Sequence, residues 1–194
     1  MTRPEAPSPQ QAKPVHPHEG TWFNRHFGLR FAALFLALFT LASLAWSSAQ
    51  GTALERLVIE QTTVATSARL IAWIAPEEGV RAEGARLVSP RARLSVLNGC
   101  DGTESVLLLA SAVLAFPGAW RRKPVGVLVV ASGAFVLNQV RLVGLYFLLR
   151  YRPEWFEAVH SYIAPVLIIV VGSALFMAWL QWATRGEGGG AVAA

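Results

Sequence analysis

The chemistry that this chain could perform is centred on Cys100, the only cysteine among its 194 residues. It lies in the segment Asn98-Gly99-Cys100-Asp101-Gly102, directly before a long apolar run. The exposed N–H groups and the dipole of a helix start favour a thiolate, and the same N–H groups can bind an oxyanion. Cys100 is therefore a candidate nucleophile, although a lone cysteine taken by itself is more often inert and buried.

The residues around Cys100 support this interpretation in part. Asp101 followed by Glu104 resembles a capping box, with Asp101 as the predicted N-cap of a helix. Gly99 and Gly102 would let a substrate backbone approach closely. The negative charge of Asp101, however, opposes a thiolate on its neighbour.

Arg141 interrupts a later apolar run, and Asn138 precedes it by three residues, on the same face of the predicted helix. An arginine within a membrane span costs roughly 2.5–3.5 kcal/mol, so it usually has a partner or a function. The alternative is that Arg141 extends its side chain to the membrane surface. If it has a function, the guanidinium can stabilise a thiolate or an oxyanion, with Asn138 sharing its polar pocket.

His160 stands at the start of the last apolar run, and the other three histidines all lie in the first 26 residues. An interfacial histidine taken alone is more often structural. Its imidazole can nevertheless take a proton from a thiol and return it to a leaving amine. Cysteine, histidine and a cation together form an acyl-transfer set. One cysteine and one histidine are too few to hold a metal, so no metal or other cofactor is expected.

Long apolar segments must position these residues. The mean hydropathy is +0.43 and only 15% of residues are charged, which is typical of a membrane protein. Four spans are predicted, at about residues 29–46, 105–120, 125–149 and 162–182. The first could also be a signal peptide cleaved near Ser47-Ser48-Ala49, but its length and flanking tryptophans favour an uncleaved anchor.

The segment between the first two spans has a different character. Residues 52–75 carry an apolar stripe at helical spacing, with Leu54, Leu57, Ala68 and Ile71 among its members. They predict an amphipathic helix on the membrane surface or on the helix bundle. Residues 87–96 alternate in polarity around Ser89-Pro90 and predict a short β-hairpin-like segment. The fold class is thus an all-α integral membrane protein with about four spans and these two additions.

Charge near the membrane ends predicts the orientation. Arg25, Arg30 and the short Arg121-Arg122-Lys123 loop mark one side as cytoplasmic. Both termini then lie on that side, and Cys100, Arg141 and His160 meet at the opposite, periplasmic face of the inner membrane. Residues 1–20 and 185–194 are predicted to be disordered tails flanking a membrane domain over 21–184. The formal charge of +5 suits membrane anchoring better than nucleic-acid binding.

The sequence resembles the exosortase/archaeosortase family of membrane cysteine transpeptidases over roughly residues 25–183. The segment around Cys100, the run Asn138-Gln139-Val140-Arg141, and His160 before the last span carry the resemblance. The stretch from Asn98 to Pro117 is most similar to the exosortase H subfamily. The chain departs from the family where Asp101 stands in place of a small or amide residue. It is also shorter than the larger exosortases and lacks their additional helices.

The resemblance implies a cysteine peptidase that cleaves C-terminal sorting signals of exported proteins and transfers them, through a thioester on Cys100, to an unknown acceptor. Arg141 and His160 would complete the catalytic triad. The expected partners are proteins that end in a short motif of the Ile-Pro-Thr-Leu type, a transmembrane helix and a basic tail, together with membrane lipid. A non-catalytic membrane scaffold or assembly factor is the main alternative; a small transporter subunit is a third, disfavoured because paired intramembrane acids are lacking.

Overall fold

The computed structural model describes residues 19–96, 99–118 and 120–185. Asn98, residues 1–18 of the predicted N-terminal tail and residues 186–194 of the predicted C-terminal tail lie outside the described residues. Most of the described chain is helical. The helices are α1 (Glu19–Ala49), α2 (Ala53–Arg56), α3 (Ala65–Ile74), α4 (Thr103–Ala115), α5 (Lys123–Tyr151), α6 (Phe156–Ala158) and α7 (Ala164–Thr184).

Two π-helical segments join some of these elements into longer helices. Leu57–Val64 links α2 to α3, and Val159–Ile163 links α6 to α7. Short 3₁₀ turns occupy Pro76–Glu78, Trp120–Arg122 and Pro153–Trp155. Proline falls in the first turn of α5, where its missing N–H leaves no intrahelical bond unmade.

Three helices in the described part of the chain are long and apolar enough to cross a membrane. They cover Gly28–Ala49, Trp120–Tyr151 and Pro153–Thr184. The fourth predicted span is the shorter apolar helix Thr103–Ala115, which has 13 residues and is about 20 Å long. The predicted class, an all-α membrane protein with a small β segment, is therefore confirmed. One of its four apolar helices is shorter than the roughly 20 residues that a bilayer crossing needs.

The β segment is an antiparallel sheet of three strands, in the order β1-β2-β3. The strands are β1 (Arg81–Glu83), β2 (Arg86–Val88) and β3 (Arg93–Ser95). Leu87 pairs with Leu94, and both are buried in a hydrophobic cluster with α3 and the last turns of α5. This cluster, the sheet and the α2–α3 helix form what we call the cap.

The other end of the molecule carries the basic loop, and we call it the basic end. The ring of Phe31 in α1 lies 6.1 Å from that of Phe116, just after α4. Arg122 donates a 2.6 Å hydrogen bond to the carbonyl of Ala183 near the end of α7. The first half of α1, the end of α4 and the end of α7 thus meet at the basic end. The described start of α1 and the end of α7 share one side of the bundle, as the predicted topology requires.

Candidate active site

Cys100 lies in a tight loop directly before α4. The loop contains two glycines with left-handed backbone angles, Gly99 with φ of 88° and Gly102 with φ of 86°. Gly102 is the N-cap of α4 and provides no side-chain cap. The loop therefore places the thiol, which is partly exposed, next to the first turn of a helix.

The prediction that Asp101 caps α4 is wrong. Its carboxylate instead accepts hydrogen bonds within the loop, from the N–H of Gly99 at 3.1 Å and from the hydroxyl of Thr103. The reason is the left-handed Gly102 between Asp101 and the helix, which shifts the N-cap by one residue. Asp101 is buried, and these two hydrogen bonds organise the loop that carries Cys100.

Asn138 of α5 fastens this loop to the helix bundle. Its side-chain amide donates a 2.7 Å hydrogen bond to the backbone carbonyl of Asp101, and the residue is 1% exposed. A Cβ at Gly102 would lie 2.7 Å from Cγ of Asn138. The space left by Gly102 is therefore filled by Asn138, whereas we expected it to admit a substrate backbone. Gly99 has no atom within 4 Å of such a Cβ, so it keeps the open approach.

Arg141 lies one turn further along α5 and points at the thiol. Its Nη2 is 3.9 Å from Sγ of Cys100 and 3.5 Å from the carbonyl oxygen of His160. Among the described residues, no acidic side chain forms an ion pair with Arg141. The sulfur of Cys100 and the carbonyl oxygen of His160 are thus the acceptors that face its guanidinium.

His160 approaches the thiol from the π-helical segment before α7. Its Nε2 is 3.7 Å from Sγ of Cys100. The imidazole stacks on the ring of Phe156 at 5.5 Å, with an angle of 7° between the planes, and this contact fixes its orientation. Buried Nδ1 of His160 has no partner among the described residues. π-Turns often occur at functional sites, and this one aims the histidine at Cys100.

The structure therefore brings together Cys100, Arg141 and His160, the three candidate residues from separate segments of the sequence. A sulfur with a base on one side and a cation on the other is suited to nucleophilic attack on a carbonyl. The described residues contain no group of three histidine, cysteine, aspartate or glutamate side chains that could hold a metal ion.

Two cavities meet at this cluster. The cap cavity, of about 330 Å³, contains Cys100 and His160 and is bounded by β3 and the second half of α5. The membrane cavity, of about 310 Å³, reaches Gly99 and Arg141 and is bounded by α1, α4 and α7. The cluster thus lies between a cavity on the cap side and one within the membrane helices.

Several residues of the site were not anticipated from the sequence. Apolar side chains line the cap cavity at Leu142, Leu145, Leu149 and Phe156. The three leucines are spaced by three and four residues, which places them on one helix face next to Asn138 and Arg141. That spacing was a usable signal. The contribution of β3 to the cavity could not be predicted from the sequence, because it depends on contacts between distant segments.

The fold and the cluster define a class: a helical membrane protein with a cysteine-centred candidate active site. A family model described as transmembrane exosortase (Exosortase_EpsH) matches residues 23–180, which covers most of the chain. The chain therefore belongs to the transmembrane exosortase family, and membership suggests a transpeptidase-type role. No curated protein and no solved structure matches it.

Proposed function

We propose that the protein is a membrane cysteine peptidase or transpeptidase that cleaves C-terminal sorting signals of exported proteins. Cleavage would take place at the periplasmic face of the inner membrane. The observation that carries the proposal is the position of Cys100 Sγ, 3.7 Å from Nε2 of His160 and 3.9 Å from Nη2 of Arg141. Membership of the exosortase family supports the same reaction type.

In the first half of the reaction, His160 takes the thiol proton and the Cys100 thiolate attacks the scissile carbonyl carbon. A carbon–sulfur bond forms, and the negative charge moves to the carbonyl oxygen, where Arg141 stabilises it. His160 then gives its proton to the leaving nitrogen as the carbon–nitrogen bond breaks. The products are the released tail, with a new amino terminus, and a thioester on Cys100.

In the second half, an acceptor amine or water attacks the thioester carbon. His160 takes the proton of the attacking group, the carbon–sulfur bond breaks, and the proton returns to the sulfur of Cys100. An amine gives transpeptidation and water gives hydrolysis. The identity of the acceptor therefore decides whether the protein acts as a transferase or as a protease.

The membrane cavity supports a substrate that is itself anchored in the bilayer. Its walls are mostly apolar residues of α1, α4 and α7, with Glu104 at the start of α4, and it reaches Arg141. We assign it to side chains at the start of the transmembrane helix of the substrate's tail, since a volume of about 310 Å³ holds side chains and not a whole helix. Confining both molecules to one membrane raises their effective concentration, so that a short motif suffices for recognition.

The test is cleavage of an exported reporter fused to the motif, helix and basic tail of a candidate substrate from the same genome. Wild type should release the tail, and Cys100→Ala should not. A Cys100→Ser variant keeps the size of the side chain but not its nucleophilicity, so it should also be inactive. Equal processing by wild type and Cys100→Ala would overturn the cysteine mechanism.

Substitutions of His160 and Arg141 distinguish an enzyme from a non-catalytic scaffold. His160→Ala should lower the cleavage rate about 10²–10⁴-fold through loss of proton transfer, and Arg141→Leu about 10²–10³-fold through loss of charge stabilisation. Membrane levels of the variants should match those of wild type. A scaffold predicts the opposite: Cys100→Ser and His160→Ala would be silent, while Arg141→Leu would impair folding or partner binding.

A further inference from the structure

The outer edge of β3 is a second feature of the site. In the ladder between β2 and β3, Ser89 N–H bonds to Ala92 O at 2.9 Å and Val96 N–H bonds to Ala85 O at 2.8 Å. Hydrogen-bonded residues alternate along an antiparallel strand, so Leu94 also faces β2. The backbone groups of Arg93 and Ser95 therefore point away from the sheet.

These outward groups have no backbone partner in the described part of the chain. The two edges of the sheet are thus unlike. β1 lies near α3 and the π-helical segment before it, with its three residues exposed. The β3 edge borders the cap cavity, which also contains Cys100 and His160. An edge strand with free N–H and C=O groups is a template for another extended chain.

The lining of the cap cavity shows which side chain would suit it. Apart from the strand and the two site residues, its walls are Leu142, Leu145, Leu149 and Phe156. Its volume of about 330 Å³ has room for one branched apolar side chain beside a backbone. Of all the residues that line the cavity, only Arg93 is an arginine, lysine or acidic residue, and it is an exposed residue of β3. Burying a charged substrate side chain against this wall would be costly.

We propose that the substrate binds as a fourth strand on β3 and places an apolar side chain in the cap cavity. This proposal rests on the proposed function and names how that site would recognise its substrate. The added strand is the segment on the amino-terminal side of the scissile bond, because the membrane cavity on the opposite side of Cys100 takes side chains at the start of the tail helix. Backbone hydrogen bonds to Arg93 and Ser95 align it, and alternate side chains provide the specificity.

The single cysteine makes the geometry directly measurable. Cys100→Ala leaves a chain without cysteine, into which Ser95→Cys is introduced. The reporter that wild type cleaves receives one cysteine at a time along the segment before its tail helix, and membranes are oxidised with copper phenanthroline. Side chains of a strand alternate between faces, so the disulfide yield should alternate with a period of two residues.

Ala82→Cys in the same background is the matched control. Val88 and Arg86 of β2 pair with Arg81 and Glu83, which leaves Ala82 as the outward residue on the β1 edge. Like Ser95, it is exposed. It should give only background cross-linking. A yield that does not alternate at Ser95→Cys, or an equal yield at Ala82→Cys, would overturn strand addition.

Proline variants test the same backbone contact between β3 and the substrate through the rate of reporter cleavage. Ser95→Pro removes an outward N–H without breaking the ladder to β2, and Ala82→Pro makes the same change on the other edge. Cleavage should fall about five- to tenfold for Ser95→Pro, as the loss of one hydrogen bond predicts, and stay near wild type for Ala82→Pro. Wild-type rates in both would count against the proposal.

The two proposals fail in different ways. If Cys100→Ala cleaves the reporter as wild type does, the cysteine mechanism is wrong. The cross-linking pattern still decides strand addition in that case, because it is obtained with Cys100 already replaced. If Cys100→Ala is inactive and the cross-links do not alternate, the cysteine mechanism stands and the substrate binds in another way.

Discussion

At the scale of single residues, the position of the thiol depends on an interlock between Asn138 and Gly102. The amide of Asn138 holds the carbonyl of Asp101, and the side chain fills the space where Gly102 has no Cβ. Asn138 is thus a positioning residue, since it fixes the loop that presents Cys100 and does not touch the sulfur in this structure. Arg141 follows three residues later on the same face, so one helix turn provides both the support and the charge.

The interlock predicts that Gly102→Ala is strongly destabilising. An alanine there must adopt φ of about 86° and bring Cβ to 2.7 Å from Asn138. Together the backbone strain and the overpacking should cost about 2–5 kcal/mol. Thermal unfolding in detergent and reporter cleavage both measure the effect, and both should fall.

Two other glycines provide controls for that prediction. Gly99→Ala has the same backbone strain, with φ of 88°, but no neighbour within 4 Å, so its cost should be smaller. Gly144→Ala, in an exposed position of α5 with open space around it, should be neutral or slightly stabilising. Equal unfolding temperatures for Gly102→Ala and Gly144→Ala would show that the interlock contributes nothing.

The sequence allowed the meeting of Cys100, Arg141 and His160 to be predicted, because the apolar runs set the depth of each residue. It did not allow the interlock to be predicted, since Asn138 and Asp101 are 37 positions apart and no local pattern links them. The wrong N-cap has a similar cause. Asp101 and Glu104 have the spacing of a capping box, but the left-handed Gly102 takes the cap position.

At the scale of elements, the amphipathic helix shows how a π-turn changes a predicted face. Its second half buries Ala68 and Ile71 as expected, but Leu54 and Leu57 are 51% and 50% exposed. The π-helical stretch Leu57–Val64 has a wider turn, which rotates the buried face relative to a regular helix. A 3.6-residue period cannot anticipate that rotation, so the helix was predictable and its first contacts were not.

The length of α5 explains how the cap is held above the site. Arg141 is 18 residues beyond Lys123, or about 27 Å along the helix, which is close to the thickness of the hydrocarbon layer. The remaining turns continue toward the cap and carry Leu142, Leu145 and Tyr146 into its hydrophobic cluster. One helix therefore sets both the distance of Arg141 from the basic end and the position of β3 relative to Arg141.

The attachment of the cap to α5 predicts that Glu78 stabilises the folded protein. Its buried carboxylate accepts hydrogen bonds from Tyr151 at 2.6 Å and Tyr146 at 3.2 Å, with Arg150 at 3.4 Å. The hydrogen bond from Tyr151 is the main cause that holds the pKa of Glu78 below its usual value of 4.5, and that from Tyr146 and the charge of Arg150 add to it, against the effect of burial. Glu78→Gln should therefore lower the Tm at neutral pH.

The lowered pKa of Glu78 also predicts how its contribution to stability changes with pH. Because the pKa of Glu78 is lower in the folded state, its contribution is present above about pH 4.5 and is lost as the pH falls through the folded value. The Tm gap between wild type and Glu78→Gln should narrow over that range. Glu77→Gln, at the exposed neighbouring position, should leave the Tm unchanged. A gap that is constant with pH would mean that the charge of Glu78 does not stabilise the cap.

At the scale of the whole molecule, the candidate site lies between two hydrophobic clusters. The cluster of the cap includes Leu87, Leu94 and Tyr146, and the cluster within the bundle includes Val113, Val130 and Trp179. Cys100, Arg141 and His160 are polar groups at the boundary between them. A site at such a boundary can take a substrate whose two halves differ, one extended in water and one helical in lipid.

The orientation of the molecule in the membrane is the last prediction. Arg121, Arg122 and Lys123 mark the basic end as cytoplasmic, so Cys100 near the cap should face the periplasm. A membrane-impermeant maleimide added to intact spheroplasts should label Cys100, which is partly exposed. Ser95→Cys in the Cys100→Ala background repeats the measurement at an exposed cap position. Gly118→Cys in the same background, near the basic loop, should be labelled only after permeabilisation. The reverse pattern, with Gly118→Cys labelled in intact spheroplasts and the two cap positions only after permeabilisation, would invert the topology and place the candidate site in the cytoplasm, away from exported proteins.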